Sequence, residues 1–355
     1  MTSLLSLVLL PLALAQDPAP VAEPAPSADP APSLELAPVA PMAAPAVAVE
    51  LPAPPPLTLE EQWAQDGPDA VLLDAVDRRT LGDFEGADAR LAWLRVHHDG
   101  PAARYHAALS LEFQERFGDA VALYASVARD FPGQPQAADA RFRQALCLED
   151  LGRHRDALAL VKALKRTGDW SDRDRLTLEL EQGVTLLRDG RDRRGVRRIQ
   201  RALDAAAERD DLSWMRAKAH TALARYLLAE AAAVPMVQTR RAAKNLQARS
   251  GHIATAERHV IAVAQLGEAE YALEGLMLLG DAYLALHDDL LAAPAPRSLT
   301  PDQVEIYQAE LNDKVAVLKR KAWRYYDEGV TVAVRTRWQG RIASTLRARR
   351  EALDL

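Results

Sequence analysis

The chain has 355 residues, with 44 Lys and Arg against 50 Asp and Glu, 5% aromatic residues and a single cysteine, Cys147. One cysteine excludes an internal disulfide and a cysteine-based metal cluster, and the lack of alternating Val/Ile-rich runs predicts an all-α protein. Positions 1–56 hold five acidic residues and no basic one, so the rest of the chain is nearly neutral and no overall field favours nucleic acid or a membrane.

Residues 1–15 have the pattern of a secretory signal peptide. An uncharged apolar run from Leu4 to Leu14 ends in an Ala-Leu-Ala site, which predicts cleavage after Ala15. The run is shorter than the ~20 apolar residues that a membrane span needs. No cysteine follows it as a lipid anchor. We therefore expect an exported mature chain without a transmembrane segment, in the periplasm or associated with the cell envelope.

Residues 16–56 form a Pro/Ala-rich segment with 13 of the 22 prolines. Such a segment cannot bury enough apolar surface to fold, and its prolines favour extended polyproline II conformations. We predict a disordered linker that acts as a spacer. The alternatives are a tether that holds the folded part away from an attachment point, and a ligand for a Pro-binding partner.

The folded part is predicted to begin at Thr58, which forms a capping box with Glu61 at a helix N-terminus. Over residues 57–212 the pattern predicts four helix pairs, each with a small residue in its second helix. These small residues are 33, 37 and 38 residues apart, at Ala87, Ala120, Ala157 and Gly195. Glycines mark the predicted turn within each pair, at Gly82, Gly118, Gly152 and Gly190.

The second of these units has the clearest pattern. Ala120, Tyr124 and Val127 recur at helical spacing. Pro132 marks a turn, and a second periodic run follows from Ala138. This stretch resembles the tetratricopeptide repeat (TPR), in the variant of bacterial envelope proteins of the outer-membrane-assembly and division-coordination type. The resemblance implies a right-handed solenoid of antiparallel helix pairs that binds other proteins.

From residue 213 to 334 the repeat pattern becomes irregular. Helices are predicted at about residues 213–232, 237–265 and 267–291. A further helix opens with a capping box at Thr300 and Gln303 and continues to about Val334, where it would cover the last apolar face of the solenoid. Residues 335–355 are predicted as a basic tail, either frayed in solvent or lying on an anionic surface.

Motifs for catalysis are absent: the sequence contains no HExxH, GxSxG, GxxxxGK[ST] or GxGxxG. His252 and His259 are seven residues apart and could share one helical face, but two histidines without a third ligand indicate a metal site only weakly. Solvated or partner-contacting histidines are the simpler interpretation. We therefore predict that the protein is not an enzyme and that it holds no cofactor or metal.

In TPR proteins the first helix of each unit lines a concave groove that meets the ligand. With units starting at Pro68, Pro101, Ala138 and Leu176, the resemblance implies a largely apolar groove that suits an amphipathic helix or an extended segment with apolar anchors. The predicted partner-binding residues are Leu72, Val76, Tyr105, Leu109, Phe113, Phe142, Leu146, Leu180 and Val184. The alternative is that these side chains pack against neighbouring repeats.

A second candidate surface is basic. Arg194, Arg197, Arg198 and Arg201 follow i, i+3, i+4 and i+7 spacing and form a stripe on one helical face. The stripe is either a solvated face paired with acids of the next repeat or a contact for an anionic partner. Nucleic acid is disfavoured because no aromatic residues are interleaved with these arginines.

Together these patterns predict a non-catalytic protein–protein interaction scaffold of the cell envelope, which binds a segment of an envelope protein in its concave face. The alternative is a surface-attachment protein that binds an anionic wall polymer or lipid through the arginine stripe and the basic tail.

Overall fold

The computed structural model describes residues 57–168, 170–236, 241–296 and 298–353. The predicted signal peptide and Pro/Ala-rich linker lie outside the described residues. The described part is helical throughout and has no strand. Its helices are α1 (Leu59–Asp66), α2 (Pro68–Thr80), α3 (Phe84–His97), α4 (Pro101–Phe113), α5 (Phe117–Asp130), α6 (Pro135–Asp150), α7 (His154–Thr167), α8 (Asp172–Arg188), α9 (Asp192–Ala205), a 3₁₀ turn (Asp210–Leu212), α10 (Ser213–Ala233), α11 (Ala242–Gln265), α12 (Ala269–Ala292), α13 (Pro301–Arg335) and α14 (Arg341–Ala352).

These helices pack as consecutive pairs, α2 with α3 through α12 with α13. The first helices of the pairs also contact one another, α2 with α4, α4 with α6, α8 with α10 and α10 with α12. We call the surface formed by this row of first helices the inner face. The first four pairs start at Pro68, Pro101, Pro135 and Asp172, which are 33, 34 and 37 residues apart. The predicted all-α solenoid of helix pairs is therefore confirmed.

Small residues allow the two helices of a pair to approach closely. Ala87, Ala120 and Ala157 are completely buried in their second helices. In the fourth pair the backbones are closer still, because a Cβ atom on Gly195 would lie 2.7 Å from Leu187 Cγ, and one on Gly183 would lie 2.6 Å from Ile199 Cγ1. Such distances leave no space for a side chain, so α9 is tightly fixed on α8.

The turn inside the second pair differs from the prediction. Gly118 lies within α5, and the residue with positive φ is Glu115, at 57°. Gly152 holds the corresponding turn of the third pair, with φ of 73°. The sequence placed the turn at the nearest glycine, whereas here a non-glycine residue adopts the left-handed conformation that usually favours glycine.

The longer C-terminal helices continue the same row. α10 packs on α8, and α12 packs on α10, so the fifth and sixth pairs extend the solenoid. Thr300 and Gln303 form the predicted capping box at the start of α13. α13 packs along α12 and carries the fully buried Leu318 and Val315 on its inward face.

The last described residues fold rather than fray. Helix α14 packs on α13 and α12, and its Leu346 is completely buried. A Cβ atom on Gly329 would lie 2.8 Å from Leu346 Cδ1, so the two helices are in close contact. Arg350 Nη1 lies 3.0 Å from Asp327 Oδ1, and Arg349 pairs with Asp281. The expected frayed tail is therefore wrong for residues 341–352, which form a capping helix.

Candidate partner-binding groove

A cavity of about 530 Å³ opens on the inner face between α6, α8 and the start of α10. We call it the aromatic cavity. Its apolar lining includes Phe142, Leu146, Trp170, Trp214 and Met215. The Trp170 Nε1–H donates to the Leu164 carbonyl at 2.8 Å, which fixes that ring in the connection before α8. Trp214 is 36% exposed, so an aromatic edge remains available to a ligand.

Charged side chains surround the cavity and compensate one another. Arg143 Nη1 lies 3.2 Å from Glu112 Oε1, and its Nε lies 3.4 Å from Asp139 Oδ2. On the opposite side, Arg173 Nε lies 3.5 Å from Asp211 Oδ2. A ligand therefore meets an apolar centre within a rim whose charges already have partners.

The structure places the predicted groove residues of the first three pairs in different surroundings. Phe142 and Leu146 line the aromatic cavity. Tyr105 is part of the polar rim, since its hydroxyl accepts from Arg143 Nε at 2.9 Å and donates to Asp139. Leu109 is buried and does not line the aromatic cavity, whereas Phe113 is 61% exposed near the guanidinium of Arg79. The remaining two in the first pair, Leu72 and Val76, are half-buried.

Two predicted contacts on α8 are wrong. Leu180 and Val184 are completely buried in the core between α8, α9 and α10. Helix α8 begins at Asp172, four residues before the predicted start, and its cavity-lining residues are Arg173, Asp174, Thr177 and Leu178. The prediction chose the apolar stripe, which packs against α9 and α10, whereas the α8 residues that line the cavity lie in its first two turns.

Trp170, Trp214 and Met215 were not predicted. Trp170 lies in a connection, and the other two lie in the first turn of α10, outside the regular repeats. A tryptophan at the start of a predicted first helix was the one available signal for this part of the site. These three side chains come together with Phe142 and Leu146 only because α10 packs beside α8 in the row of first helices.

A buried ionic cluster lies next to the cavity. Lys218 Nζ lies 2.7 Å from Glu181 Oε2 and 3.1 Å from Glu149 Oε2, and it is 5.7 Å from the Trp214 ring. The side chains of Glu149 and Glu181 are 1% and 0% exposed. Burial and the nearby Glu149 raise the pKa of Glu181 to about 8. Burial also disfavours the charged form of Glu149, but Lys218 and Arg188 hold its pKa below the ordinary value.

The predicted arginine stripe lies on α9, away from the inner face. Arg194, Arg197 and Arg201 are exposed. Arg198 is only partly exposed and pairs with Glu179 of α8, which also binds Lys165 of α7. One of the four arginines is therefore paired, and its acid lies in the same helix pair rather than in the next repeat.

The histidines form a pair that was not predicted. His259 Nδ1 lies 3.0 Å from His220 Nδ1, which joins α11 to α10, and His252 takes no part in that bond. In the part of the chain that the structure describes, no group of three or more His, Cys, Asp or Glu side chains is arranged to hold a metal ion. A hydrogen bond between two Nδ1 atoms needs one neutral acceptor, so the pair cannot exist with both rings protonated.

We expect this pair to make the fold sensitive to acid. Burial lowers the pKa of His220 to about 4, with His259 and Arg216 adding to the effect, and burial with Arg258 lowers the pKa of His259. Because both pKa values are lower in the folded state, their contribution to stability is present above pH 6.5 and is lost as the pH falls toward 4. Urea unfolding should show a loss of about 1–3 kcal/mol over this range.

The double substitution His220→Asn, His259→Asn should remove most of that loss, while His252→Asn should leave it unchanged. An identical pH dependence in the double variant and the natural chain would contradict the assignment to this pair.

Comparisons with known proteins give no family assignment. No protein-family model matches the chain, and no curated protein matches it. Solved structures with similar architecture include the MamA RS-1 ArsTM double mutant, with 17% identity over 57% of this chain and 96% of that chain and a TM-score of 0.39. A tetratricopeptide repeat protein from Parabacteroides merdae has 10% identity over 81% of this chain and 98% of its own, also with a TM-score of 0.39.

A third similar structure is the C-terminal part of a TPR repeat-containing protein from Cytophaga hutchinsonii, with 14% identity, coverage of 70% and 95%, and a TM-score of 0.28. Because these TM-scores are low, the assignment of the fold class rests on how the helices of this chain pack together. No helix in the described ranges is both long and apolar enough to cross a membrane.

Proposed function

We propose that the chain is a non-catalytic interaction scaffold that binds a segment of a partner protein on its inner face. The observation that carries this proposal is the aromatic cavity, which offers Phe142, Trp170 and Trp214 on one side of a helical solenoid. In protein interfaces a few well-packed residues supply most of the binding energy, and tryptophan is enriched among them. An apolar anchor of the partner would enter the cavity.

The size and charge of the cavity define the ligand further. A volume of about 530 Å³ lies within the ~300–1,000 Å³ typical of binding pockets and accommodates one or two large side chains rather than a whole helix. Since Arg143 and Arg173 already have acidic partners, the partner need not bring a matching charge. Binding at this site should therefore depend only weakly on salt.

We further propose that this scaffold works in the cell envelope. The signal peptide pattern of residues 1–15 supports export, and the Pro/Ala-rich segment of residues 16–56 suits a spacer between the solenoid and other envelope components. The TPR resemblance supports a role near outer-membrane assembly or division machinery. Fold alone does not fix such a role, so the partner has to be identified directly.

The alternative, attachment to an anionic wall polymer or lipid, loses part of its basis. Arg349 and Arg350 of the predicted tail pair with acidic residues of α12 and α13. The exposed arginines of α9 remain, and they concern a different surface from the aromatic cavity.

The cavity can be tested by filling it. Ala138 lines the cavity and is half-buried, so Ala138→Trp should occupy the space without removing any packing. In a crosslinking pulldown from intact cells, we expect this variant to lose one specific envelope protein, with at least tenfold lower recovery. The recovered protein would identify the partner.

The matched control is Ala159→Trp, which adds the same ring at an exposed position of α7. Circular dichroism would verify that both variants fold. An unchanged set of partners in the Ala138→Trp variant would overturn the cavity as the binding site.

A further inference from the structure

The outer face of α9 carries a cluster of four arginines, which lie within nine residues of the sequence. Arg193, Arg194, Arg197 and Arg201 are exposed, and none of them forms an ion pair with another residue in the described ranges. Some exposed arginines elsewhere do pair, as Arg116 does with Asp119 and Arg153 with Asp156. We call the four α9 residues the arginine row.

The arginine row is held on a rigid support. The opposite face of α9 packs on α8 through Gly195, Ile199 and Ala202, which are buried. The close contacts of Gly183 with Ile199 and of Gly195 with Leu187 fix the axial position of the helix. A partner therefore meets guanidinium groups whose backbone positions are already set, which lowers the entropic cost of binding.

The spacing of the arginine row matches an extended chain. Arg193, Arg197 and Arg201 are each four residues apart, so their Cα atoms are about 6 Å from one another along the helix axis. In an extended peptide, side chains on one side repeat every second residue, or about 6.6 Å. An acidic residue at every second position would therefore face one guanidinium each, and guanidinium groups bind carboxylates with two parallel hydrogen bonds.

We propose that the arginine row binds an extended protein segment with acidic residues at alternating positions. This site is separate from the aromatic cavity and goes beyond the scaffold function proposed above. A lipid bilayer is less suited to it, because a helix that lies in a membrane surface buries its apolar face in the lipid. The apolar face of α9 is covered by α8, and none of the exposed large hydrophobic residues lies on α9.

The test uses the full chain and a fluorescent peptide of four Glu-Ala repeats in an anisotropy titration. The variant Arg193→Gln, Arg197→Gln, Arg201→Gln should bind at least tenfold more weakly than the natural chain. The substitutions remove mutual repulsion from the surface, so we expect the variant to fold normally. Because the Debye length falls from about 10 Å at 0.1 M salt to about 3 Å at 1 M, binding should also be lost at high salt.

Two controls separate this site from a general charge effect. Arg320→Gln, Arg335→Gln, Arg347→Gln removes three exposed arginines from other helices and should bind the peptide as the natural chain does. A peptide with four consecutive Glu residues followed by four Ala residues should bind more weakly than the alternating one. Ala138→Trp should bind the alternating peptide as the natural chain does. A failure of the cavity proposal can therefore be told apart from a failure of the arginine-row proposal.

Equal loss of binding in both arginine variants would overturn the proposal, and so would equal affinity for the two peptides. Vesicles of phosphatidylglycerol provide the remaining comparison. If they retain the chain through the arginine row while the alternating peptide does not bind, the ligand is a membrane and the proposal is wrong.

Discussion

Replacing Lys218 with methionine should lower the free energy of unfolding by about 3–5 kcal/mol at pH 8. The substitution keeps most of the side-chain volume but removes the cation that pairs with the buried carboxyl groups of Glu149 and Glu181, so that Glu149 is left with Arg188 at 4.0 Å. At pH 8 these groups either carry an uncompensated charge in the interior or must take up protons from solvent. Both options raise the free energy of the folded chain but not that of the unfolded chain.

The pH dependence gives a second readout of the same variant. The pKa of Glu181 is about 8 in the folded chain and near 4.5 when unfolded. Between pH 4.5 and pH 8 the folded chain therefore binds more protons than the unfolded chain, and the natural chain itself loses stability as the pH rises through that range. Without Lys218 the carboxyl groups are more easily accommodated in their protonated form. The deficit of Lys218→Met should therefore be smaller at pH 5 than at pH 8, as measured by urea unfolding.

A triple variant with Glu149→Gln and Glu181→Gln added to Lys218→Met removes all three charges and should recover most of the lost stability. A deficit below about 1 kcal/mol for Lys218→Met at pH 8 would show that the cluster does not hold the three helices together.

The second large effect should come from Leu346→Ala in the capping helix. Leu346 is completely buried against Gly329 of α13, and truncation of a buried leucine typically costs about 2–5 kcal/mol through lost apolar contact and the remaining cavity. We expect about 3 kcal/mol here. Since α14 covers the last apolar face of the solenoid, the variant should also expose apolar surface and aggregate more readily.

The control for this variant is Arg347→Ala, the next residue on the same helix, which is exposed and should change stability by less than about 0.5 kcal/mol. Thermal unfolding by circular dichroism would measure both. Equal, small effects of the two substitutions would mean that residues 341–352 do not stabilise the solenoid.

The helices were predictable from the sequence because their signals are local. The capping boxes at Thr58 and Thr300 both form, and the four small residues of the second helices are all buried at pair interfaces. The predicted helices at about 213–232 and 267–291 agree closely with α10 and α12. Periodicity and capping act within a few residues, so the local sequence of each helix is enough to predict where it lies.

The site was less predictable because it depends on helix rotation and on distant segments. A start four residues too late on α8 led to Leu180 and Val184, which belong to the core. The Lys218 cluster joins three helices that are far apart in sequence, and an isolated lysine in α10 gives no sign of its partners. The position at the chain terminus suggested a frayed tail, whereas Ala343 and Leu346 provide the apolar stripe that folds it.

The same lysine changes how this solenoid should open. In a repeat protein, each unit usually contacts only its neighbours, so that stability is a sum of local terms and units can unfold one by one. Lys218 of the fifth pair reaches past the fourth pair to Glu149 of the third, which adds a term beyond nearest neighbours. We therefore expect the third to fifth pairs to unfold together, with loss of the aromatic cavity between them in the same step.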